Sequence, residues 1–143
     1  MSELLEKARS YEAKKIAATD KESKPLFHIS APAGWINDPN GFSVYNGKIH
    51  LFYQYYPYLR EWGPMHWGHS TTSDMIKWEQ LPCALAPDEE YDKKGCFSGS
   101  AIEADGKHVL VYTGVTRIKL PDGSEQERQN QCIAFGDGLN YVK

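Results

Sequence analysis

Hydrophobic and polar positions along this chain follow two different periods. In residues 2–17, Leu4, Leu5, Ala8, Tyr11 and Ile16 fall among charged residues as a broken apolar stripe. That spacing predicts one helix, with Ser2 placed to cap it. Residues 18–25 (A-T-D-K-E-S-K-P) read as a linker. Beyond them the helical period vanishes, and Gly, Pro and aromatic residues rise. Ile49, Leu51, Tyr53 and Tyr55 then alternate with His50, Phe52, Gln54 and Tyr56, which is the period of a strand. Asn46-Gly47 just before that run is a tight-hairpin signal, and Asp105-Gly106 does the same ahead of His108–Tyr112. Residues 65–72 and 130–135 read as further strands.

These pieces recur. N-G-K-I-H-L-F-Y-Q-Y (46–55) resembles D-G-K-H-V-L-V-Y-T-G (105–114), and S-D-M-I-K-W (73–78) resembles G-D-G-L-N-Y (136–141). A hairpin-bearing motif that returns after about 60 residues predicts the blades of a β-propeller, with an irregular β-sandwich as the competing architecture. Propellers close with ~4–8 blades, and this chain holds about two. Tyr141-Val142-Lys143 reads as a turn toward a further strand. The expectation is therefore an all-β fold: a short N-terminal helix and linker (1–24), then the N-terminal part of a propeller (25–143).

Composition narrows the function classes. The 143 residues are 41% hydrophobic, 13% aromatic and 24% charged, with a net charge of −3. That balance suits a globular core and gives no basic footprint for nucleic acid. No apolar run approaches the ~20 residues of a membrane span. Glu3, Glu6 and Lys7 interrupt the stretch where an export signal would need an apolar core, so a cytoplasmic location is expected. The three cysteines, Cys83, Cys96 and Cys132, read as reduced thiols. The five histidines show no metal-ligand spacing, and no cofactor or metal is expected. The acidic run D-E-E-Y-D (88–92) reads as a solvated loop.

The candidate chemistry lies in W-I-N-D-P-N-G (35–41). On residue types alone this is a turn: Pro39 disfavours helix at Asp38, and Asn40-Gly41 tolerate positive φ. The neighbours add a second reading. Trp35 is a stacking surface of the kind sugars dock on, and Asn37 can both donate and accept. A carboxylate held by stiff backbone and walled by aromatics suits a nucleophile. Gln54, Trp62, Trp67 and Ser98 have bland readings too: an exposed strand face for Gln54, propeller core for the tryptophans, and a turn for Ser98.

The surrounding string H-I-S-A-P-A-G-W-I-N-D-P-N-G-F (28–42) resembles the opening motif of glycoside hydrolase family 32, the β-fructofuranosidases. H-L-F-Y-Q-Y-Y-P (50–57), W-G-P-M-H-W-G-H-S-T-T-S-D-M-I-K-W-E (62–79) and C-F-S-G-S-A (96–101) resemble its later segments in the same order. The helical leader is similar to those of bacterial sucrose-6-phosphate hydrolases. The resemblance implies a five-bladed propeller with a site in its axial funnel, and retaining hydrolysis of terminal β-D-fructofuranosides such as sucrose or sucrose 6-phosphate. It implies Asp38 as nucleophile, with Trp35, Asn37, Gln54, Trp62, Phe97 and Ser98 lining the fructose subsite. The implied partner is a small sugar. Fructan hydrolysis, a non-catalytic sugar-binding module, and assembly through open blade edges are the alternatives.

A retaining glycosidase needs a second carboxyl roughly 5–5.5 Å from the nucleophile. In family 32 it belongs to a Glu-Cys dipeptide, and a third carboxylate belongs to Arg-Asp-Pro. Neither Glu-Cys nor Arg-Asp occurs in this sequence, and its only Asp-Pro is Asp38-Pro39. The expectation is that these 143 residues alone do not hydrolyse sugar.

Overall fold

The computed structural model describes residues 1–143 apart from Lys21 and Ser23. One helix, α1 (Glu3–Ala18), precedes eight strands: β1 (Trp35–Tyr45), β2 (Lys48–Tyr56), β3 (His66–Thr72), β4 (Glu79–Leu85), β5 (Gly95–Ala104), β6 (Lys107–Lys119), β7 (Glu125–Gly136) and β8 (Tyr141–Val142). They form two four-stranded sheets, each in sequence order, with every neighbouring pair antiparallel. The first strands of the two sheets, β1 and β5, lie against each other. These are two adjacent blades of a propeller, as the repeat predicts.

The repeat is structural down to single hydrogen bonds. Asn46-Gly47 and Asp105-Gly106 adopt the same pair of positive φ angles, 49° and 71°. That is the primed turn whose twist matches a right-handed hairpin. At the third turn of each blade an aspartate folds the backbone over itself. Asp74 Oδ1 accepts from the amides of Ile76 and Lys77, and Asp137 Oδ1 accepts from those of Leu139 and Asn140. The next residue in each case, Met75 or Gly138, has positive φ. These short carboxylate-to-amide bonds are what the S-D-M-I-K-W and G-D-G-L-N-Y similarity encodes.

Ser2 caps α1, its hydroxyl accepting from the Leu5 amide at 3.2 Å. The buried face differs from the expected stripe: Leu5, Ala8 and Glu12 are inside, while Leu4 and Ile16 are exposed. The reason is the surface the helix covers. Leu5 and Ala8 pack with Tyr53, Tyr55, Cys83 and Ala86 of the first blade. Glu12 Oε2 accepts from the backbone N–H of Cys83 at 2.9 Å, and Arg9 Nε donates to the carbonyl of the same residue at 2.9 Å. α1 thus pairs the free edge of β4, which would otherwise present open backbone groups. Arg9 also reaches the second blade, donating to Asn140 Oδ1 at 2.9 Å and to Leu139 O at 3.1 Å. Of the expected linker 18–25, Ala18 ends the helix, and Lys21 and Ser23 lie outside the described residues.

The main core lies between the blades. Phe52, Trp67, Ala84 and Leu85 from the first blade meet Cys96, Leu110, Tyr112, Cys132, Ala134 and Tyr141 from the second. Each large side chain buried there contributes ~1.5–3 kcal/mol. β2 is buried on both faces, Phe52 and Gln54 as well as Tyr53 and Tyr55, because the second blade covers one side and α1 the other. The simple alternation did not show this double burial. Nor does alternation mark β4 or β5. β4 carries Pro82, which its place at the blade edge tolerates, and β5 is rich in Gly and Ser rather than alternating.

The acidic run 88–92 is not wholly a solvated loop. Asp92 is fully buried; its Oδ1 accepts from the Glu89 amide and its Oδ2 from Tyr112 OH and Lys143 Nζ. Lys143 also pairs with Asp88, which accepts in turn from Ser2 Oγ. Only Glu89, Glu90 and Tyr91 of the run are exposed. The three cysteines are free and buried.

Candidate active site

W-I-N-D-P-N-G is not a turn. It is the start of β1, interrupted by register shifts between Ile36 and Pro39 and between Asn40 and Ser43. Asn37 and Asp38 are the residues inserted at the first bulge. A bulge leaves its extra residue out of the ladder and re-aims it, a device common beside active sites. Pro39 is accommodated because the interrupted ladder asks no N–H of it. The Asp38 side chain is exposed.

The second blade has a matching irregularity. β5 shifts register between Phe97 and Gly99, so Ser98 is the inserted residue there. The two bulges face each other: Ser98 Oγ donates to Asp38 Oδ2 at 3.2 Å. Beneath them Asn40, 3% exposed, accepts the Gly99 amide on Oδ1 at 3.3 Å. Gly99 has no alternative, since an added Cβ would sit 2.0 Å from Val111 O.

Around the carboxylate, Trp35 Nε1 donates to Asn37 Oδ1 at 2.7 Å, which fixes the indole and the amide together. Phe97 is half-buried and meets the exposed Trp62 edge-on, with ring centroids 6.0 Å apart. Gly95 makes room for the Phe97 ring, as a Cβ there would lie 2.7 Å from Cε1. The result is an exposed carboxylate on the β1 bulge with the Ser98 hydroxyl on one oxygen, a bonded Trp35–Asn37 pair on its own strand, and the Trp62–Phe97 pair next to Ser98.

Of the seven residues singled out from sequence, Asp38, Trp35, Asn37, Trp62, Phe97 and Ser98 cluster on the exposed side of this inter-blade seam. Trp62 is exposed rather than core, and Trp67 is core. Gln54 is not on an exposed strand face. It is 3% exposed, and its amide donates to Cys96 O at 2.9 Å. Together with Trp67 Nε1 bonding Phe97 O at 3.2 Å and the Cys96 amide bonding Met65 O at 2.8 Å, it holds the backbone that carries Phe97 and Ser98. Asn40 and Gly99 are supports that the sequence reading passed over. By residue type Asn40 suggests a turn, and the only signal of its supporting role is a second asparagine two residues after the carboxylate.

Deeper in the seam lies a histidine cluster with no counterpart in sequence spacing. His50 Nδ1 and His69 Nε2 are 2.9 Å apart, and His108 bonds Ser43 Oγ through Nε2 and Tyr141 OH through Nδ1. Phe52 stacks on His69, and Tyr45 on His108. Burial pushes His69 well below the ordinary histidine value and His108 down to about 4. All three rings are buried and serve as neutral packing groups. Among the described residues no group of three His, Cys, Asp or Glu is arranged to hold a metal ion, and no helix is long and apolar enough to cross a membrane.

Comparison with known proteins identifies the family. The profile of the glycosyl hydrolases family 32 N-terminal domain matches residues 28–143. A sucrose-6-phosphate hydrolase of Escherichia coli is 48% identical over 120 residues, covering 83% of this chain and 25% of that protein. A levanase of Bacillus subtilis is 50% identical over 144 residues, covering 98% of this chain and 21% of that protein. Among solved structures, a family 32 beta-fructofuranosidase of Bombyx mori superposes with a TM-score of 0.82 at 45% identity, over 96% of this chain and 28% of that one. An aspartate-to-alanine mutant of the same protein has been solved in complex with sucrose. The chain spans about a quarter of the length of the curated relatives it matches. With two propeller blades, four family motifs in order and a profile match from residue 28 to residue 143, the chain belongs to glycosyl hydrolase family 32.

Proposed function

We propose that the chain is the nucleophile-bearing part of a β-fructofuranosidase that cleaves sucrose or sucrose 6-phosphate with retention. The observation that supports this best is the pair of facing bulges, which present Asp38 to solvent with Ser98 on one carboxylate oxygen. In the first step Asp38 attacks C2 of the fructosyl ring. The C2–O bond breaks, its electron pair goes to the glycosidic oxygen, and a general acid protonates that oxygen as glucose leaves. Water then attacks C2 of the fructosyl-enzyme, giving its proton to the same group and releasing Asp38. Trp35 and the Trp62–Phe97 pair offer faces for the sugar, and Asn37 and Ser98 offer polar contacts to its hydroxyls. Gln54 acts from below by fixing the strand that carries Phe97 and Ser98.

The general acid is not supplied by these 143 residues, which contain no Glu-Cys. General acid catalysis is typically worth 10²–10⁴-fold. The polypeptide alone is therefore expected to release no glucose from sucrose. Extended by the rest of its propeller, it is expected to turn over at around 10 per second, an ordinary enzyme rate. Asp38→Ala removes that turnover, and acid-quenched digests of the wild type carry a fructosyl adduct on the Asp38 peptide. Full activity in Asp38→Ala, or an adduct on another residue, overturns the assignment.

The levanase similarity over nearly the whole chain favours a second reading, a fructan as substrate. Comparing release of fructose from levan and from sucrose decides between them. A non-catalytic lectin would instead bind fructose in calorimetry and still bind after Asp38→Ala.

A further inference from the structure

The strand that carries Ser98 starts on a buried ionic cluster. Asp92 is fully buried, and Lys143, just after β8, has a side chain only 8% exposed. The Lys143 ammonium donates to Asp92 Oδ2, Asp88 Oδ1 and the Ala86 carbonyl, and lies 3.6 Å from Cys96 Sγ. Resting on the fructosidase reading above, we propose that Asp92 and Lys143 are positioning residues for the reaction. They clamp the start of β5 and so set where Phe97 and Ser98 stand relative to Asp38.

Asp92 acts on the backbone just ahead of the bulge. Its Oδ1 accepts from the Glu89 amide at 2.9 Å, and its carbonyl accepts from the Gly95 amide at 2.7 Å. Its Oδ2 accepts from Tyr112 OH at 2.8 Å, which joins this turn to β6, the strand that β5 pairs with. Cys96 is then fixed at every polar atom. Its amide donates to Met65 O, its carbonyl accepts from Gln54, and its sulfur contacts Ala86 O at 3.4 Å. Phe97 and Ser98 follow directly. Ser98 is exposed and outside the ladder, so the residues on either side of it decide where its hydroxyl points. Asn40 holds Gly99 on one side, and the cluster holds Cys96 on the other.

The choice of charges fits this role. A buried ion pair adds little net stability over apolar groups of the same size, but an arrangement that leaves one charge alone is strongly disfavoured. Lys143 takes oxygens from both ends of the 86–92 connection, which is the link between the two blades. A shift of β5 or β8 against that link would strand a buried charge.

The test uses the full-length enzyme that carries this chain. Lys143→Met, Asp92→Asn, their double variant and Asp88→Asn are compared with wild type in sucrose kinetics and thermal melts. Backbone hydrogen exchange is followed in peptides covering 94–101 and 46–55. Ser98→Ala is made alone and on top of the double variant. The double variant, with both charges gone, is expected to stay folded and to lose about tenfold in kcat/KM, mostly in kcat. Exchange is expected to quicken in 94–101 and not in 46–55. Ser98→Ala, costly in wild type, is expected to cost less than about twofold more in the double variant, because both changes act on one contact. A folded double variant with wild-type kcat overturns the proposal, as does equal cost of Ser98→Ala in both backgrounds. Faster exchange in both peptides reduces the cluster to a general brace and also overturns it. If the double variant does not fold, Asp88→Asn at the rim of the cluster decides: lower kcat with quickened exchange confined to 94–101 supports the clamp, and a lower melting temperature with unchanged kcat overturns it. Wild type that cleaves neither sucrose nor levan removes the fructosidase reading itself, and the proposal with it.

Discussion

The hydroxyl of Ser98 and the carboxylate of Asp38 belong to different blades and meet 3.2 Å apart, each displaced from its strand by a bulge. Each stands outside the regular ladder of its own blade. The contact therefore depends on both irregularities and on the packing that fixes one blade against the other. It orients one oxygen of Asp38 and leaves the other open. In the full-length enzyme, Ser98→Ala should lower kcat several-fold, because an exposed hydrogen bond to a carboxylate is worth about 1 kcal/mol. Asp38→Asn should remove turnover. Steady-state sucrose hydrolysis measures both, and an unchanged rate in Ser98→Ala would show that the contact does not matter to the chemistry.

The glycines differ in what they do, and alanine substitutions should separate them. At Gly99 an added methyl carbon would lie 2.0 Å from Val111 O, so the backbone under Ser98 must move. At Gly106 nothing lies near, and the only cost is the positive φ of 71°, about 1–2 kcal/mol for a residue with a Cβ. Gly99→Ala should lower the urea midpoint more than Gly106→Ala and should also lose activity. The reverse order would mean that the β5 bulge relaxes easily.

Mild acid should unfold the protein. His66 and His108 are pushed down to about 4 by burial, and His50 and His69 are lowered for the same reason. Their unfolded forms take protons near pH 6.5, so stability is complete above that value and is lost as pH falls toward 4. Glu12 works the other way. Burial raises it to about 7, so its contribution is present below its unfolded value near 4.5 and fades as pH rises through 7. Several histidines outweigh one glutamate. The unfolded chain should therefore bind more protons than the native one between pH 6.5 and 4, and stability should fall as pH is lowered across that window. Urea melts between pH 7 and 5 test this, and His108→Gln should flatten the slope.

Much of this was legible in sequence, for local reasons. Asn46-Gly47, Asp105-Gly106, Asp74 and Asp137 each act through bonds to their own backbone, so short motifs reveal them and their repetition reveals the blades. The candidate site residues came from a family string, and their geometry was not legible in it. Nothing in W-I-N-D-P-N-G distinguishes a turn from a bulged strand, because the bulge is defined by the register of a partner strand, β2. The histidine cluster, the burial of Asp92 and the support given by Asn40 arise from contacts between residues far apart in sequence, and single-residue chemistry pointed elsewhere. Leu4 and Ile16 are not core residues because the helix lies on a strand edge and turns Leu5, Ala8 and Glu12 inward.

Thiol chemistry offers an inexpensive check of the packing. Cys83, Cys96 and Cys132 are all buried and unpaired, and burial raises Cys83 and Cys96 well above the ordinary thiol value. A thiol reagent should label none of the three quickly in the native protein and all three in guanidinium. Fast native labelling of Cys96 would mean that the seam between the blades opens readily.

Arg9 ties the leading helix to Cys83 on one sheet and to Leu139 and Asn140 on the other. An engineer who trims those first residues as a dispensable leader, or crowds them with an affinity tag, would loosen a clasp far from the carboxylate and yet alter the gap in which it works. The front of this polypeptide should be handled as part of the frame that fixes one blade against the other.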